Sequence, residues 1–542
     1  MLSYRKLAMR VLGRPLHTGG IDSPRPASQR AAALVLTAAM LTTLAAPAFA
    51  DIWHIENGDI TISAGESGNN VTQNNNTTYG DTNTIITNQN KDTASSHTVT
   101  IEAKDKDDKV EVTLKDVNID TSSRNKAAVS VTGSGNTTIK LDGDNALKSD
   151  TYRSGIYGSG SGSLTISGGE NDSLTAQGGS GANGISSSGS LTISGGTVTA
   201  NGDDGDRGIS SSGSVTISGG STVTANGGSG TISGGDGIWS GGGVTISGGS
   251  TVTANGGNGG SLVGGDGIRS GGGLTVSDGT VTAKGGNGDS KDGYGGDGIR
   301  SGGVVTISGN TVNAAGGYGG KVGGYGICSF DRVAISGGTV EAAGGNGSTG
   351  GGSGIYSSVI DLSGSLELTA KAGSPTGKAL LQNGRELDLD TIKDKLGPGA
   401  KVTTTDANGK TKEVSSPLPV EPEGPVIPEE SSSSSDDGSA TPSAPTSPLP
   451  GLTVTDKSGA VISYTSTQSG NTLTVCVGRF TASFRISLAA LRQLRAEGIE
   501  TITFQTILCS TTLSVDELLA MGGEDAEAVL THRFTDSSLT VG

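Results

Sequence analysis

Apolar and polar residues alternate in short triplets between residues 154 and 370, and the triplets return at nearly regular intervals. Each repeat reads roughly as Gly-Ile, then Leu-Thr-Ile-Ser-Gly-Gly, then Thr-Val-Thr-Ala before a pair of glycines. The repeats are numbered by their isoleucines, which are Ile156, Ile185, Ile209, Ile238, Ile268, Ile299, Ile327 and Ile355. These isoleucines lie 29, 24, 29, 30, 31, 28 and 28 residues apart, which indicates one structural unit stacked on copies of itself.

Each repeat holds three triplets in which β-branched residues alternate with polar ones, as is typical of β-strands. Glycine pairs between the triplets favour turns. We therefore predict a mainly β fold, a right-handed parallel β-helix with three short strands per coil of about 29 residues. Two rows of threonines should point outward, namely Thr165, Thr192, Thr216, Thr245, Thr275 and Thr306 in one row, and Thr175, Thr199, Thr224, Thr253 and Thr282 in the other.

Other glycine-rich structures fit the pattern less well. Collagen requires glycine at every third residue, and the calcium-binding β-roll requires a period of nine residues. A disordered low-complexity chain would not keep its apolar triplets in register. The repeat therefore favours a folded solenoid.

The remaining regions divide the chain into domains. Residues 1–50 combine basic residues, an apolar segment from Ala31 to Leu44 and an Ala-Phe-Ala ending, which predicts a cleaved signal peptide. Residues 51–150 should form the N-terminal cap and the irregular first coils, and residues 151–396 the repetitive β-helix with its C-terminal cap. Residues 397–450, rich in proline and serine, predict a disordered linker.

Residues 451–542 predict a small α+β domain. The segment from Ser487 to Ile499 has helical periodicity, with Ser487 as the N-cap and Gly498 at the C-terminus. Ser514 and Glu517 form a capping-box pattern before a second helix. Cys476 and Cys509 both lie in this domain, so they either form a disulfide or are buried as small apolar residues.

Composition narrows the classes of function. The formal charge of −16 argues against nucleic acids and anionic membrane surfaces as partners. Three cysteines in 542 residues exclude a disulfide scaffold. No segment after residue 50 is long and apolar enough to span a bilayer. We expect a secreted or cell-surface-associated protein.

The run "VTLKDVNIDTSSRNKAAVSVTGSGNTTIKLDGDNALKS" from Val112 to Ser149, followed by "SLTISGG" and "GGTVTANGG" repeats, resembles bacterial surface β-helix proteins of the carbohydrate-binding-domain type. These are related to a polygalacturonate-binding β-helix family. The resemblance covers about residues 51–370. It implies a β-helix that binds extracellular polysaccharide without catalysis, and it assigns no binding residue in this chain.

The residue after each repeat isoleucine should face outward. That row reads Tyr157, Ser186, Ser210, Trp239, Arg269, Arg300, Cys328 and Tyr356. Aromatic residues make up only 3% of the chain, so a tryptophan beside two stacked arginines is unusual. Ring stacking and bidentate carboxylate contacts suit a linear, preferably acidic, polysaccharide. The predicted ligand-binding residues are Trp239, Arg269, Arg300, Tyr157 and Tyr356; alternatively, these are ordinary solvent-facing positions.

Two residues before three of the isoleucines lies an aspartate, at Asp236, Asp266 and Asp297. Neighbouring carboxylates in water repel by only about 1 kcal/mol, so solvated aspartates need no metal. Calcium is an alternative because oxygen ligands on glycine-rich turns suit it. We expect no required cofactor.

We predict no catalytic residue, because none of His54, His97 and His532 has a nucleophile and an orienting acid nearby in the sequence. All three histidines are expected at the surface. The main hypothesis is a non-catalytic, adhesin-like protein that binds an extracellular polysaccharide or a host or bacterial surface glycan. The alternatives are a polysaccharide lyase or hydrolase on a pectate-lyase-like β-helix, and a purely structural spacer.

Overall fold

The computed structural model describes residues 51–416, 451–456, 461–462, 464–477, 479, 481–506, 510–521, 526–532 and 537–541. The predicted signal peptide and most of the predicted linker lie outside these residues. The chain divides into two compact units, residues 1–420 and 421–542. The first unit is a β-solenoid of about 14 turns, which confirms the predicted fold class.

Three parallel sheets form the wall of the solenoid, because equivalent triplets of successive coils pair in register. The first sheet contains Ile60–Gly65, Val99–Ala103, Val129–Gly133, Ile156–Gly158, Ile185–Ser187, Ile209–Ser211, Ile238–Ser240, Ile268–Ser270, Ile299–Ser301 and Leu380–Gln382. The second contains Ile52–His54, Thr84–Thr87, Lys109–Lys115, Asn136–Asp142, Leu164–Ser167, Leu191–Ser194, Val215–Ser218, Val244–Ile246, Leu274–Val276 and Val305–Ile307. The third contains Asn118–Asp120, Asp144–Lys148, Ser173–Gln177, Thr197–Asn201, Thr222–Asn226, Ser250–Asn255, Gly279–Lys284, Thr311–Ala315 and Lys401–Thr405.

Two long strands, Ile327–Ala343 and Ile355–Lys371, pass through all three sheets in turn. The eight repeat isoleucines stack in one column of the first sheet and are fully buried. Both predicted threonine rows pair in register on the outer faces. The period-two pattern therefore fixed which side of each strand faces the core.

Serines at the third position of the first-sheet strands are buried, and their hydroxyls form hydrogen bonds between successive coils. The Ser240 hydroxyl donates to the carbonyl of Gly213 at 2.9 Å, and Ser270 donates to Gly242 at 3.0 Å. Each bond removes an unpaired polar group from the interior, which makes serine acceptable at a buried position.

The loops from the third sheet back to the first form a second ordered layer, the glycine stack. Its members are the pairs Gly227-Gly228, Gly234-Gly235, Gly256-Gly257, Gly264-Gly265, Gly285-Gly286, Gly295-Gly296, Gly316-Gly317, Gly323-Gly324, Gly344-Gly345 and Gly351-Gly352. Amides donate alternately across the two arms: Gly265 to Gly257, and Gly286 to Gly265, both at 2.8 Å. A Cβ on Gly286 would lie 1.9 Å from the carbonyl oxygen of Gly257, so the arms pack only without side chains.

Both ends of the solenoid are covered. At the N-terminal end, Gly68–Gln73 and Asn76–Asp81 add antiparallel strands next to Ile60–Gly65, and Ile55–Asn57 is a 3₁₀ turn. At the other end, the 3₁₀ turns Leu389–Thr391 and Lys393–Lys395 place Leu389, Ile392 and Leu396 against the core.

The predicted start of the linker at residue 397 is wrong. Strand Lys401–Thr405 pairs in parallel with the end of Ile355–Lys371, and Thr411–Ser415 folds back on it as a hairpin. Val402 and Val414 are buried in the solenoid core. The solenoid therefore extends at least to residue 415, because these valines cover apolar surface that the last full coil leaves open.

The second unit has the predicted α+β composition. One antiparallel sheet contains Leu452–Thr455, Ala482–Ser487, Glu527–His532 and Ser537–Val541; the other, a mixed sheet, contains Thr465–Ser469, Thr472–Cys476, Thr501–Gln505 and Ser510–Ser514. Helix α1 is Leu488–Ala496 and helix α2 is Val515–Met521. The Ser487 hydroxyl accepts from the amide of Ala490, and the Ser514 hydroxyl accepts from the amide of Glu517, so both N-cap predictions are confirmed.

The surface position expected for His532 is wrong. Its ring is fully buried against Phe504, with ring centroids 4.8 Å apart. Its two nitrogens lie 3.3 Å and 2.9 Å from the hydroxyls of Thr506 and Thr511. Burial lowers the pKa of His532, so its role in this unit is that of a neutral core residue.

Candidate functional site

The row that follows the repeat isoleucines is continuous along the first sheet. Each member pairs with its equivalent one coil away, from Tyr157 through Trp239, Arg269 and Arg300 to Tyr356. The predicted alignment is confirmed, but uniform solvent exposure is not: Cys328 is only 1% exposed. The glycine-rich loops lie beside this row and line a depression together with it, so the row borders a cleft and does not form a flat open face.

A groove of about 570 Å³ lies between this row and the loops of four successive coils, and we call it the loop groove. Its lining side chains are Ser233, Asp236, Val263, Asp266, Arg269, Tyr294, Asp297, Arg300, Val322 and Tyr325. Five of the eight predicted site residues thus meet in one depression: Asp236, Asp266, Arg269, Asp297 and Arg300. Apolar and aromatic side chains from the loops supply the rest of the lining.

The three aspartates form a buried ladder at the groove, not a row of solvated carboxylates. Asp236, Asp266 and Asp297 are 7%, 5% and 3% exposed. An oxygen of each accepts the backbone amide of the next coil: Asp266 donates to Asp236 at 2.9 Å, Asp297 to Asp266 at 2.7 Å, and Tyr325 to Asp297 at 2.7 Å. The expectation of exposure is wrong because the loops fold over these positions and use the carboxylates as backbone acceptors.

Asn183 performs the same role three coils before Asp266. Its side-chain oxygen accepts the backbone amide of Arg207 at 2.9 Å. A side-chain amide therefore suffices for this hydrogen bond. The negative charge at Asp236, Asp266 and Asp297 is not needed to form it.

Each ladder aspartate is accompanied by an arginine. Arg207 lies 3.4 Å from Asp236, Arg269 lies 3.8 Å from Asp266, and Arg300 lies 3.1 Å from Asp297. The side chains of Arg269 and Arg300 remain 50% and 36% exposed. The formal charges of these three pairs therefore balance, while the guanidinium donors of Arg269 and Arg300 stay accessible along the groove.

Burial shifts the proton affinity of two ladder carboxylates. Desolvation raises the pKa of Asp297 from 3.8 to about 6, opposed by the hydrogen bond from Tyr325 and by the charge of Arg300. Desolvation also raises the pKa of Asp266 well above its usual value, and the charges of Asp297 and Asp236 add to this effect. Like charges stacked in a water-poor site make full ionisation unfavourable.

The aromatic residues are placed differently from the prediction. Trp239 does not line the loop groove, and the guanidinium of Arg207 lies over its ring at 4.6 Å from the centroid. Tyr356 also stands outside the lining, stacked on Tyr325 with ring centroids 5.1 Å apart. One ring face of Trp239 and one of Tyr356 are thus already occupied by a protein group.

Sequence reasoning missed Tyr294 and Tyr325, which do line the groove. Tyr325 occupies the ladder position itself, since it stands two residues before Ile327 where earlier coils have aspartate. Tyr294 lies in a loop otherwise composed of small and charged residues and is 43% exposed. A large aromatic within such glycine-rich loops was the available signal.

Tyr157 lies in a separate depression of about 290 Å³ near the beginning of the solenoid, which we call the N-terminal cleft. Its lining residues are Thr98, Thr100, Asn125, Lys126, Ala127, Ser130, Arg153 and Tyr157. Of the five predicted ligand-binding residues, Arg269 and Arg300 therefore line the loop groove, Tyr157 lines the N-terminal cleft, and Trp239 and Tyr356 line neither.

The calcium alternative finds no support in the geometry. Within the part of the chain that the structure describes, no group of three or more histidine, cysteine, aspartate or glutamate side chains is arranged to hold a metal ion. The carboxylates proposed for calcium, Asp236, Asp266 and Asp297, already accept backbone amides and face arginines, which leaves too few free oxygens for this cation.

The sulfur of Cys476 lies 3.6 Å from the side-chain oxygen of Gln505. Cys509 lies outside the described residues, so its pairing with Cys476 stays a prediction. None of the described helices is long and apolar enough to cross a membrane.

No protein-family model matches the chain, and no significant match was found among curated proteins or solved structures. The resemblance to carbohydrate-binding β-helix proteins therefore stays a prediction.

Proposed function

We propose that this protein is a non-catalytic binding protein for an extracellular polysaccharide, and that the loop groove holds a stretch of the sugar chain. The observation that carries the proposal is the repetition of one donor–acceptor set, an arginine with a buried aspartate, on successive coils of the groove. Coils repeat about every 4.8 Å, a distance similar to that between sugar units of an extended chain. A linear polymer can therefore meet equivalent groups on each coil.

The chemistry of the lining supports a sugar ligand. The guanidinium groups of Arg269 and Arg300 remain partly exposed and can donate hydrogen bonds to sugar hydroxyls. Tyr294 and Tyr325 offer ring faces or edges to the apolar faces of pyranose rings. Because each arginine already faces an aspartate, the groove favours a hydroxyl-rich segment over a densely charged one.

A binding test compares two tyrosines of neighbouring loops. Tyr294 lines the groove and is 43% exposed, whereas Tyr318 is 47% exposed and lies outside the lining. A glycan array on the full chain would identify ligands, and calorimetry would then compare Tyr294→Ala with Tyr318→Ala. We expect Tyr294→Ala to weaken binding at least about tenfold, or about 1.4 kcal/mol, because it removes a stacking surface. Equal affinities for both variants would contradict the proposal.

One observation favours hydrolysis as a second candidate function. The raised pKa values of Asp266 and Asp297 are of the kind that lets a carboxylic acid donate a proton near neutral pH. The ladder hydrogen bonds explain the same burial structurally, so binding remains our first proposal.

The hydrolysis candidate is tested by incubating the full chain with each glycan that it binds. New reducing ends that appear with the wild type and vanish with Asp297→Asn would establish hydrolysis, since asparagine keeps an oxygen acceptor but cannot act as the acid. An absence of product with every bound glycan would reject it. Secretion, also a proposal, is tested by finding the chain beginning at Asp51 outside the producing cell.

A further inference from the structure

The N-terminal cleft differs in charge from the loop groove. It contains two cationic side chains, Lys126 and Arg153, and no carboxylate among its lining residues. The chain as a whole carries a formal charge of −16, so a cleft with only positive charges departs from the general surface. Such a local concentration of positive charge attracts anions.

Arg153 is available to a ligand. Its guanidinium donates to the side-chain oxygen of Asn125 at 3.3 Å, and it forms no ion pair with any residue that the structure describes. Lys126, in contrast, lies 2.9 Å from Asp59. Arg124 holds the same carboxylate through two contacts of 2.7 Å and 3.1 Å. Asp59 is thus engaged by Arg124 and Lys126. The carboxylate of Asp150 accepts the backbone amide of Asn125 at 2.6 Å and forms no ion pair with Arg153 among the residues that the structure describes.

The floor of the cleft adds hydroxyl groups. Thr100, Ser130 and Tyr157 follow one another on three successive strands of the first sheet. Thr98, which is 5% exposed, also lines the cleft. A guanidinium with several hydroxyl donors nearby matches the oxygens of a carboxylate or sulfate group.

We propose that the N-terminal cleft binds an oxyanion, a carboxylate or a sulfate, with Arg153 as the principal contact. Tyr157 and Arg269 stand in the same outward row four coils apart, which corresponds to roughly 19 Å along the solenoid. One extended polymer can therefore place an acidic unit in the cleft and hydroxyl-rich units in the loop groove. This link between the sites rests on the proposed function, whereas the anion site itself does not.

The first experiment tests the anion site alone on the full chain. Saturation-transfer NMR would compare glucuronate, inorganic sulfate as its competitor, and neutral glucose. We expect a signal for glucuronate that sulfate suppresses, that Arg153→Gln reduces at least fivefold, and that Arg332→Gln leaves unchanged. Arg332 is an exposed arginine of the same solenoid outside the cleft. A glucuronate signal unaffected by Arg153→Gln, or none at all, would overturn the anion site. Competition by sulfate at equal strength would show that charge, not the sugar ring, is recognised.

The second experiment tests the link between the sites. A carboxylated polysaccharide that binds the chain would be compared with its carboxyl-reduced form, which keeps the backbone but loses the charge. We expect the carboxylated form to bind at least tenfold more tightly, and Arg153→Gln to abolish this preference. Tyr294→Ala should weaken both forms alike. A preference that survives Arg153→Gln would overturn the inference, while insensitivity of both forms to Tyr294→Ala would count against the loop groove.

Discussion

The isoleucine column of the first sheet and the glycine stack of the loops both repeat once per coil, yet opposite properties of their residues hold them together. In the column, large side chains such as Ile268 are buried between equivalent isoleucines above and below. In the stack, backbone groups approach so closely that no side chain fits. The column gains stability from the apolar area it removes from water, whereas the stack depends on backbone hydrogen bonds and close contact.

This difference changes the interpretation of the glycine content. Glycine usually marks flexible segments because it loses the most conformational entropy on folding. In these loops it is instead required by geometry, and the ordered arms form one wall of the loop groove. The glycine-rich loops are therefore an ordered part of the proposed binding surface.

The largest effect should follow from adding one methyl group to the stack. The Cβ of Gly345→Ala would lie 1.9 Å from the carbonyl oxygen of Gly317, whereas that of Gly350→Ala, in the same loop, meets nothing closer than 3.5 Å. We expect Gly345→Ala to cost on the order of 4 kcal/mol of unfolding free energy and Gly350→Ala almost nothing. Urea unfolding followed by circular dichroism measures both, and equal stability of the two variants would mean that the stack tolerates side chains.

A somewhat smaller loss of unfolding free energy should follow from removing one large side chain from the isoleucine column. Ile268→Ala removes a fully buried side chain, so we expect about 3 kcal/mol of destabilisation. The matched variant is Thr245→Ala, on the exposed face of the second sheet, for which we expect a change within about 0.5 kcal/mol. Amide hydrogen exchange should show the loss in the coils around Ile268. If Thr245→Ala were as damaging, the outward threonine rows would be structural too.

The smallest expected change in stability concerns the aspartate ladder, which lies where the loops meet the first sheet. Desolvation raises the pKa of Asp297 from 3.8 to about 6, so the folded state holds this proton more tightly than the unfolded state. The resulting stabilisation is complete below pH 3.8 and is lost as the pH rises through about 6. Asp297→Asn should remove this part of the pH dependence and raise stability at pH 7 by on the order of 1–3 kcal/mol.

Thermal unfolding between pH 4 and pH 8 would measure the effect. Asp292→Asn serves as the control, because it changes an exposed aspartate of the same loop. A lower melting temperature for Asp297→Asn at pH 7 would show that the ion pair with Arg300 outweighs the cost of burial.

Sequence periodicity predicted the solenoid and its register well because one residue type recurs at one structural position. The spacing of the isoleucines was enough to align Trp239, Arg269 and Arg300 on one row. The N-caps Ser487 and Ser514 were predictable because capping depends on residues close in sequence.

The burial of the aspartate ladder was not predictable in this way. It depends on how loops of different length cross over the first sheet, and no local pattern encodes that crossing. The covered ring of Trp239 was not predictable for the same reason, because Arg207 reaches over it from the preceding coil. The final hairpin at residues 401–415 was missed because it lacks the Gly-Ile step that marks the earlier coils.

The aspartate ladder joins each coil only to equivalent positions one coil away. Gene duplication or loss of a whole coil within the region from Asp236 to Asp297 would therefore leave every remaining hydrogen bond with a partner of the same kind. The groove would change in length by about 4.8 Å per event, with no new type of contact to evolve. Under the proposed function, gain or loss of coils would change the length of the bound sugar segment in discrete steps.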